Sequence, residues 1–131
     1  MPALDRVLET SLYVDDLSRA TRFYEEVLQL RCLVRSERLC AMDVGGGHSI
    51  LLLFRRGGSL NHSSPHDGSG PVHAAFAIAA SELAFWDERL AAHGILIEER
   101  TTWPLGGHSI YFRDPDGHLL QLATPGVWET Y

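Results

Sequence analysis

The sequence predicts an α+β fold built from two βαβββ modules within a single domain, 1–131. The chain has 131 residues, a length that favours one domain. One strand candidate, one amphipathic helix and three further strand candidates occur in this order twice, at about 5–56 and 71–126. A linker rich in Gly, Ser and His, residues 55–70, separates the two modules. Because one module alone would be marginally stable, we expect the two to share one core.

The first module begins with a strand candidate at 7–14, in which apolar and mixed residues alternate. Asp15 and Asp16 follow it and offer an N-cap for a helix. The apolar residues of that helix fall at helical spacing: Leu17, Ala20, Phe23, Tyr24, Val27 and Leu28. Three short strand candidates complete the module, at 32–36, 39–44 and 48–54.

The second module repeats this order after the linker. A strand candidate at 72–79 precedes a helix that starts near Ser81 and ends at His93-Gly94, where glycine indicates a C-cap. Strand candidates follow at 95–100, 108–113 and 118–123, and the turn Asp114-Pro115-Asp116-Gly117 joins the last two. The opening strands of the modules align at an offset of 64 residues, and the closing strands at 70.

Composition and charge exclude several classes of partner. The formal net charge is −6, and a nucleic-acid partner or an anionic membrane surface would favour a basic patch instead. No apolar run approaches the ~20 residues of a membrane helix, and charges occupy the N-terminal stretch where a signal peptide is apolar. We therefore expect a cytoplasmic protein. Cys32 and Cys40 flank a predicted turn, can approach across a hairpin, and are interpreted as reduced thiols.

Strand parity selects three polar residues on one face of the predicted sheet. Alternate residues of a strand point to opposite faces, so Glu9, His73 and Gln121 lie opposite the packed residues, among small neighbours. A carboxylate, an imidazole and an amide oxygen can converge on a divalent ion and leave positions open for substrate. The alternative is that these are solvated polar residues on an open sheet face.

Four further residues are candidates for contact with a small-molecule substrate. Tyr13 shares the strand face of Glu9, and Trp103 and Tyr111 are further candidate aromatic walls of a cavity. His108 is adjacent to the 103–107 loop and can edge the same cavity, although a surface position is the alternative. No residue is assigned a catalytic proton transfer.

Three motifs, LETSLYVDDLSRATRFYEEVLQL, GPVHAAFAIAASELAFWDERLAAHGI and SIYFRDPDGHLLQLATP, resemble the vicinal oxygen chelate superfamily over nearly the whole chain. That group includes glyoxalase I, extradiol dioxygenases, fosfomycin-resistance thiol transferases and bleomycin-resistance proteins. The resemblance implies a cupped, partly open mixed sheet with helices on its outer face, usually in a homodimer. Its metal positions fall on Glu9, His73 and Gln121. The chain departs from the pattern: residues 50–54 offer no fourth ligand, and Glu and Gln stand where His and Glu are common.

Two functions of different classes follow from this resemblance. The first is a metalloprotein that uses Zn, Ni, Mn, Fe or Co as a lyase, isomerase or dioxygenase on a small oxygen-rich substrate. The second is a metal-free dimer that sequesters a drug-like ligand without turnover. A scaffold that retains only dimerisation is a third reading.

Overall fold

The computed structural model describes every residue from Met1 to Tyr131, and it confirms the predicted α+β class with two βαβββ modules. The first module comprises β1 (Glu9–Val14), α1 (Leu17–Glu26), β2 (Arg31–Arg35), β3 (Leu39–Val44) and β4 (Ser49–Arg55). The second comprises β5 (His73–Ala77), a 3₁₀ turn (Ala80–Glu82), α2 (Leu83–Ala92), β6 (Glu99–Thr102), β7 (His108–Arg113) and β8 (Leu119–Ala123). The chain divides into two compact units, Met1–Ser69 and Gly70–Tyr131. Neither helix is long and apolar enough to cross a membrane.

Each unit contains one four-stranded mixed sheet with the same strand order. The orders are β1-β4-β3-β2 and β5-β8-β7-β6, and the first pair in each sheet is parallel while the others are antiparallel. Glu9 and His73 open the equivalent strands β1 and β5, and their partners Ile50 and Leu119 are 69 positions apart. The closing strands therefore correspond at 69 rather than the predicted 70, which makes Leu52 the counterpart of Gln121.

Helix α1 forms and packs as its sequence pattern predicts. Asp16 is the N-cap, and its Oδ1 accepts a hydrogen bond of 3.0 Å from the backbone N–H of Arg19. The helix packs on β2, β3 and β4 and buries Ala20, Phe23 and Tyr24 there. Burial of these side chains, together with the sheet residues beneath them, supplies the hydrophobic stabilisation of the first unit.

The chain leaves α1 through Gln29, whose φ of 59° lies in the left-handed region. The N–H of Leu30 donates to the carbonyl of Tyr24 at 3.0 Å, and glycine is the usual residue at a left-handed position after a helix. Gln29 is exposed, so its side chain contributes little packing to offset the backbone strain.

We expect Gln29→Gly to raise the free energy of unfolding by about 0.5–1 kcal/mol, because glycine adopts this φ without a Cβ clash. Thermal and urea denaturation would measure the change. Ser18→Gly, at an exposed position within α1, is the matched control and should lower stability instead. An unchanged or lower melting temperature for Gln29→Gly would show that the left-handed position carries no strain.

The linker packs on one face of the first sheet. The hydroxyl of Tyr13 and Nδ1 of His66 are 2.5 Å apart, and the His66 ring meets Phe54 edge-on at 4.7 Å between centroids. Gly68 lies so close to Tyr13 that an added Cβ would be 2.6 Å from the Tyr13 ring. Nε of Arg56 donates to the carbonyl of Gly68 at 2.9 Å and fixes this part of the linker. The segment is therefore more than a spacer.

In the second unit, the predicted ends of α2 and the 114–117 turn are close to those observed. Gly94 has a φ of 69° just after α2, and Gly117 has a φ of 83° in the turn, where its N–H donates to Asp114. The strand predicted at 95–100 is wrong in position, because pairing with β7 begins only at Glu99. The alternation of residues in the two opening strand candidates predicts that Leu8 and Val72 pack, but both residues precede β1 and β5 and are exposed.

Candidate functional site

The second unit contains an open cavity of about 420 Å³ above the sheet formed by β5, β8 and β7. Its lining includes His73 and Gln121 from the sheet, and Ala75, Ala77 and Ala123 leave the space between them. Aromatic side chains form most of the remaining wall: Phe76, Trp103, Tyr111, Trp128 and Tyr131. No Asp, Glu, Lys or Arg lines the cavity. A small apolar or aromatic group is therefore its natural occupant.

A chain of side-chain hydrogen bonds runs along one wall of the cavity. Oε1 of Gln121 lies 3.1 Å from Nε2 of His73. Nε2 of Gln121 donates a hydrogen bond to Oγ of Ser109 at 2.7 Å. Nε1 of Trp103 also donates to Oγ of Ser109, at 2.8 Å. Gln121 and Ser109 are buried, at 5% and 1% exposure. With its amino group held by Ser109, the amide presents its oxygen to His73.

Strand parity separates the residues of β7 that face the cavity from those that do not. Ser109 and Tyr111 point toward Gln121, and the rings of Tyr111 and His73 lie 6.3 Å apart. Ile110 and Phe112 are buried on the opposite face. His108 shares that opposite parity; its Nδ1 lies 3.2 Å from Oγ1 of Thr102, and it is absent from the cavity lining.

The C-terminal segment completes the cavity wall. Val127, Trp128 and Tyr131 line it, although Trp128 is 71% exposed. The hydroxyl of Tyr131 donates to the carbonyls of Ile78 and Ala123, at 3.1 and 3.0 Å, and burial raises its pKa. The sequence reasoning missed this segment, for which the only signal was a pair of aromatic residues shortly after Pro125-Gly126.

The segment is anchored where two glycines meet. The N–H of Gly107 donates to the carbonyl of Gly126 at 3.1 Å. A Cβ on Gly107 would lie 2.5 Å from the carbonyl carbon of Gly126, so neither position has room for a side chain. The backbones approach each other this closely because both residues are glycine.

The structure thus places two of the three predicted metal ligands, His73 and Gln121, in contact. Glu9 is exposed at the start of β1 in the first unit, and Tyr13 is also in that unit, packed against the linker. Burial, followed by the nearby Asp67 carboxylate, raises the pKa of Tyr13. The chain brings together no group of three His, Cys, Asp or Glu side chains suited to a metal ion.

The donor atoms of His73 and Gln121 fit a shared divalent ion. Two ligands about 2.1 Å from a metal and at right angles to each other are about 3 Å apart, and Nε2 and Oε1 are separated by 3.1 Å. An amide oxygen can only accept, so Nε2 of His73 carries the proton of the present bond and must release it to bind metal.

The chain belongs to the Glyoxalase/Bleomycin resistance protein/Dioxygenase superfamily, whose sequence profile matches residues 4–122. The resemblance seen in the sequence is therefore confirmed. Among curated proteins, the metallothiol transferase FosB of Bacillus licheniformis is 34% identical over 88% of this chain and 73% of its own length. FosB of Staphylococcus saprophyticus is 30% identical over 85% of the chain and 71% of its own length. Among solved structures, the lactoylglutathione lyase from Agrobacterium tumefaciens has a TM-score of 0.89 at 30% identity, covering 98% of this chain and 99% of that one.

Proposed function

We propose that this protein is a divalent-metal-dependent enzyme that acts on a small oxygen-rich substrate in the cavity of its second unit. The observation that carries the proposal is the contact between His73 and Gln121 at the wall of that cavity. Both residues were selected from strand parity as metal ligands, and their donor atoms have the separation expected of neighbouring ligands. When bound, the metal would supply Lewis-acid polarisation of a substrate oxygen.

Glu9 is the proposed third ligand, contributed by the same chain or by a second copy. A set of one imidazole, one carboxylate and one neutral amide carries a single negative charge. The neutral amide oxygen of Gln121 is a weaker ligand than a carboxylate, so it neutralises less of the positive charge of the metal ion. Ser109 and Trp103 act through Gln121 as positioning residues, since they hold the amide with its oxygen toward His73.

The cavity lining indicates which part of the substrate it contacts. Tyr111 and Trp128 offer flat apolar surfaces, and no charged side chain is present to pair with an ionic group. An apolar or aromatic portion of the substrate would pack there, with its oxygen atoms directed to the His73 wall. The names of the relatives, a lactoylglutathione lyase and metallothiol transferases, support a low-molecular-weight thiol compound as substrate or co-substrate.

Metal content of the untagged protein, followed by thermal melts with Mn, Fe, Co, Ni and Zn, tests the proposal. At a hundredfold excess over its Kd, a bound ion should stabilise the fold by about 2.7 kcal/mol. Gln121→Glu should tighten binding, because a carboxylate replaces a neutral ligand. Ser109→Ala should weaken it by releasing the amide. No shift with any ion would contradict the proposal, and no change in Gln121→Glu would place Gln121 outside the site.

The second candidate is a ligand-binding protein without metal or turnover. It is favoured by the uncharged aromatic lining, which can hold an apolar ligand by burial alone. Quenching of tryptophan fluorescence by a drug-sized aromatic compound, measured with EDTA and with added metal, separates the two candidates. Equal affinity in both conditions, without product formation, favours the second.

We further propose that the protein works in the cytoplasm and that it is a homodimer, the oligomeric state that the family resemblance implies. Sedimentation velocity at micromolar concentration should give a mass twice that of the chain, 14.6 kDa. A monomer across the concentration range that supports metal binding would remove the second copy as a source of Glu9.

A further inference from the structure

We propose that Cys32 and Cys40 form a reversible disulfide, so that the first unit contains an oxidation site separate from the cavity. Cys32 lies on β2 and Cys40 on β3, and their Sγ atoms are 2.9 Å apart. Both cysteines are free in the structure. A disulfide requires a separation of about 2.05 Å, so a sub-ångström approach of the two sulfurs completes the bond.

A bulge in β2 creates this arrangement. Cys32 pairs with Met42, and the register shifts between Cys32 and Val34 so that Arg35 pairs with Cys40. Without the extra residue, Cys32 and Arg35 would point to opposite faces of the strand. With it, Arg35 reaches the same side as both sulfurs, and its contact with Cys32 raises the pKa of Arg35.

The two thiols have different surroundings, and this difference indicates the order in which they react. Cys40 is fully buried, its Sγ lies 3.2 Å from Sδ of Met42, and burial raises its pKa to about 11. Cys32 is partly exposed, so an oxidant can reach its sulfur, and the Arg35 guanidinium lies beside it. Cys32 is therefore the thiol that reacts first with an oxidant, and Cys40 then reacts with the sulfenic acid formed at Cys32.

With a hydroperoxide as oxidant, each step is balanced. The Cys32 thiolate attacks a peroxide oxygen; the O–O bond breaks, Cys32 becomes a sulfenic acid, and hydroxide leaves. The sulfur of Cys40 then attacks the sulfenic sulfur, the S–S bond forms, and water leaves with the Cys40 proton. Two thiols lose two electrons to one peroxide. A dithiol reductant reverses the change by exchange at the exposed Cys32 sulfur.

The bridge would join an edge strand to its neighbour. β2 is the outermost strand of the first sheet and pairs only with β3. Oxidation would fix that edge covalently and should slow amide hydrogen exchange in β2 and the 36–38 turn, with little effect in the second unit.

Intact-mass analysis tests the proposal on the wild-type protein. After one equivalent of hydrogen peroxide and alkylation without reduction, the monomer should lack two hydrogen masses and carry no alkyl group. Treatment with dithiothreitol should restore two alkylatable thiols. Retention of both thiols, or a bridge between two chains, would overturn the proposal.

Single variants test the assigned order. Cys40→Ser should accumulate a dimedone-reactive sulfenic acid at Cys32, whereas Cys32→Ser should leave Cys40 unmodified by peroxide. Arg35→Gln should slow formation of the bridge several-fold without preventing it. The opposite order, with Cys40 reacting in Cys32→Ser as fast as Cys32 does in Cys40→Ser, would refute the roles. The wild-type measurement stands even if a variant fails to fold.

Discussion

Replacing His73 with alanine is expected to abolish the stabilisation of this protein by divalent metal. In the wild type, an ion at a hundredfold excess over Kd should contribute about 2.7 kcal/mol to the free energy of unfolding. The variant loses the only imidazole of the proposed ligand set, so the same ion concentration should leave its melting temperature unchanged. Thermal melts of both proteins with each ion, and with EDTA, give the comparison.

Without metal, the His73→Ala variant should be only about 1 kcal/mol less stable than the wild type. His73 is exposed, and its removal costs the fold one hydrogen bond to Gln121, about 1 kcal/mol. His108→Ala is the matched control, because His108 is also an exposed strand histidine but does not line the cavity. If His73→Ala keeps the full metal response, or if His108→Ala loses it, the ion binds elsewhere and the proposed site is wrong.

Gly107→Ala should be strongly destabilising, with a loss of about 2–4 kcal/mol in the free energy of unfolding. The added methyl group would lie 2.5 Å from the carbonyl carbon of Gly126 and 2.6 Å from the nitrogen of Val127. Both are backbone atoms, so no side-chain rotation relieves the clash. The C-terminal segment must move, and the cavity then loses the wall formed by Val127, Trp128 and Tyr131.

Gly106→Ala is the control for this substitution. Gly106 has a φ of 94° and nothing within 4 Å of an added Cβ, so alanine there costs backbone strain alone, about 1–2 kcal/mol. Carboxypeptidase digestion distinguishes the two variants, since only Gly107→Ala should release the C-terminal segment. Equal resistance of both variants to digestion would mean that the glycine contact does not hold the segment in place.

Most of the fold could be predicted because its signals are local. The helical spacing in α1, the cap at Asp16 and the turn at 114–117 each depend on residues close in sequence. The position of β6 depends instead on its partner strand, so the apolar residues at 95–97 gave a misleading strand signal. The register between the opening and closing strands is also set by strand pairing. The predicted offset of 70 between the two closing strands was therefore wrong by one residue.

The candidate site was partly predictable for the same reason. Parity placed Gln121 and His73 on one sheet face, and the structure brings their side chains together. Ser109 was missed, since a serine within a strand has no local pattern that indicates a buried hydrogen bond to an amide on the next strand. The C-terminal wall depends on the contact of Gly107 with Gly126, which is long-range and invisible in composition.

The linker that packs on Tyr13 and Phe54 has a consequence for stoichiometry. A duplicated module begins with two equivalent sheet faces, and each could in principle hold a ligand. In this chain His66 and Gly68 occupy the face of the first unit, whereas the matching face of the second unit remains open as the cavity. A calorimetric titration should therefore saturate at one molar equivalent of ligand per polypeptide, even though the architecture is repeated.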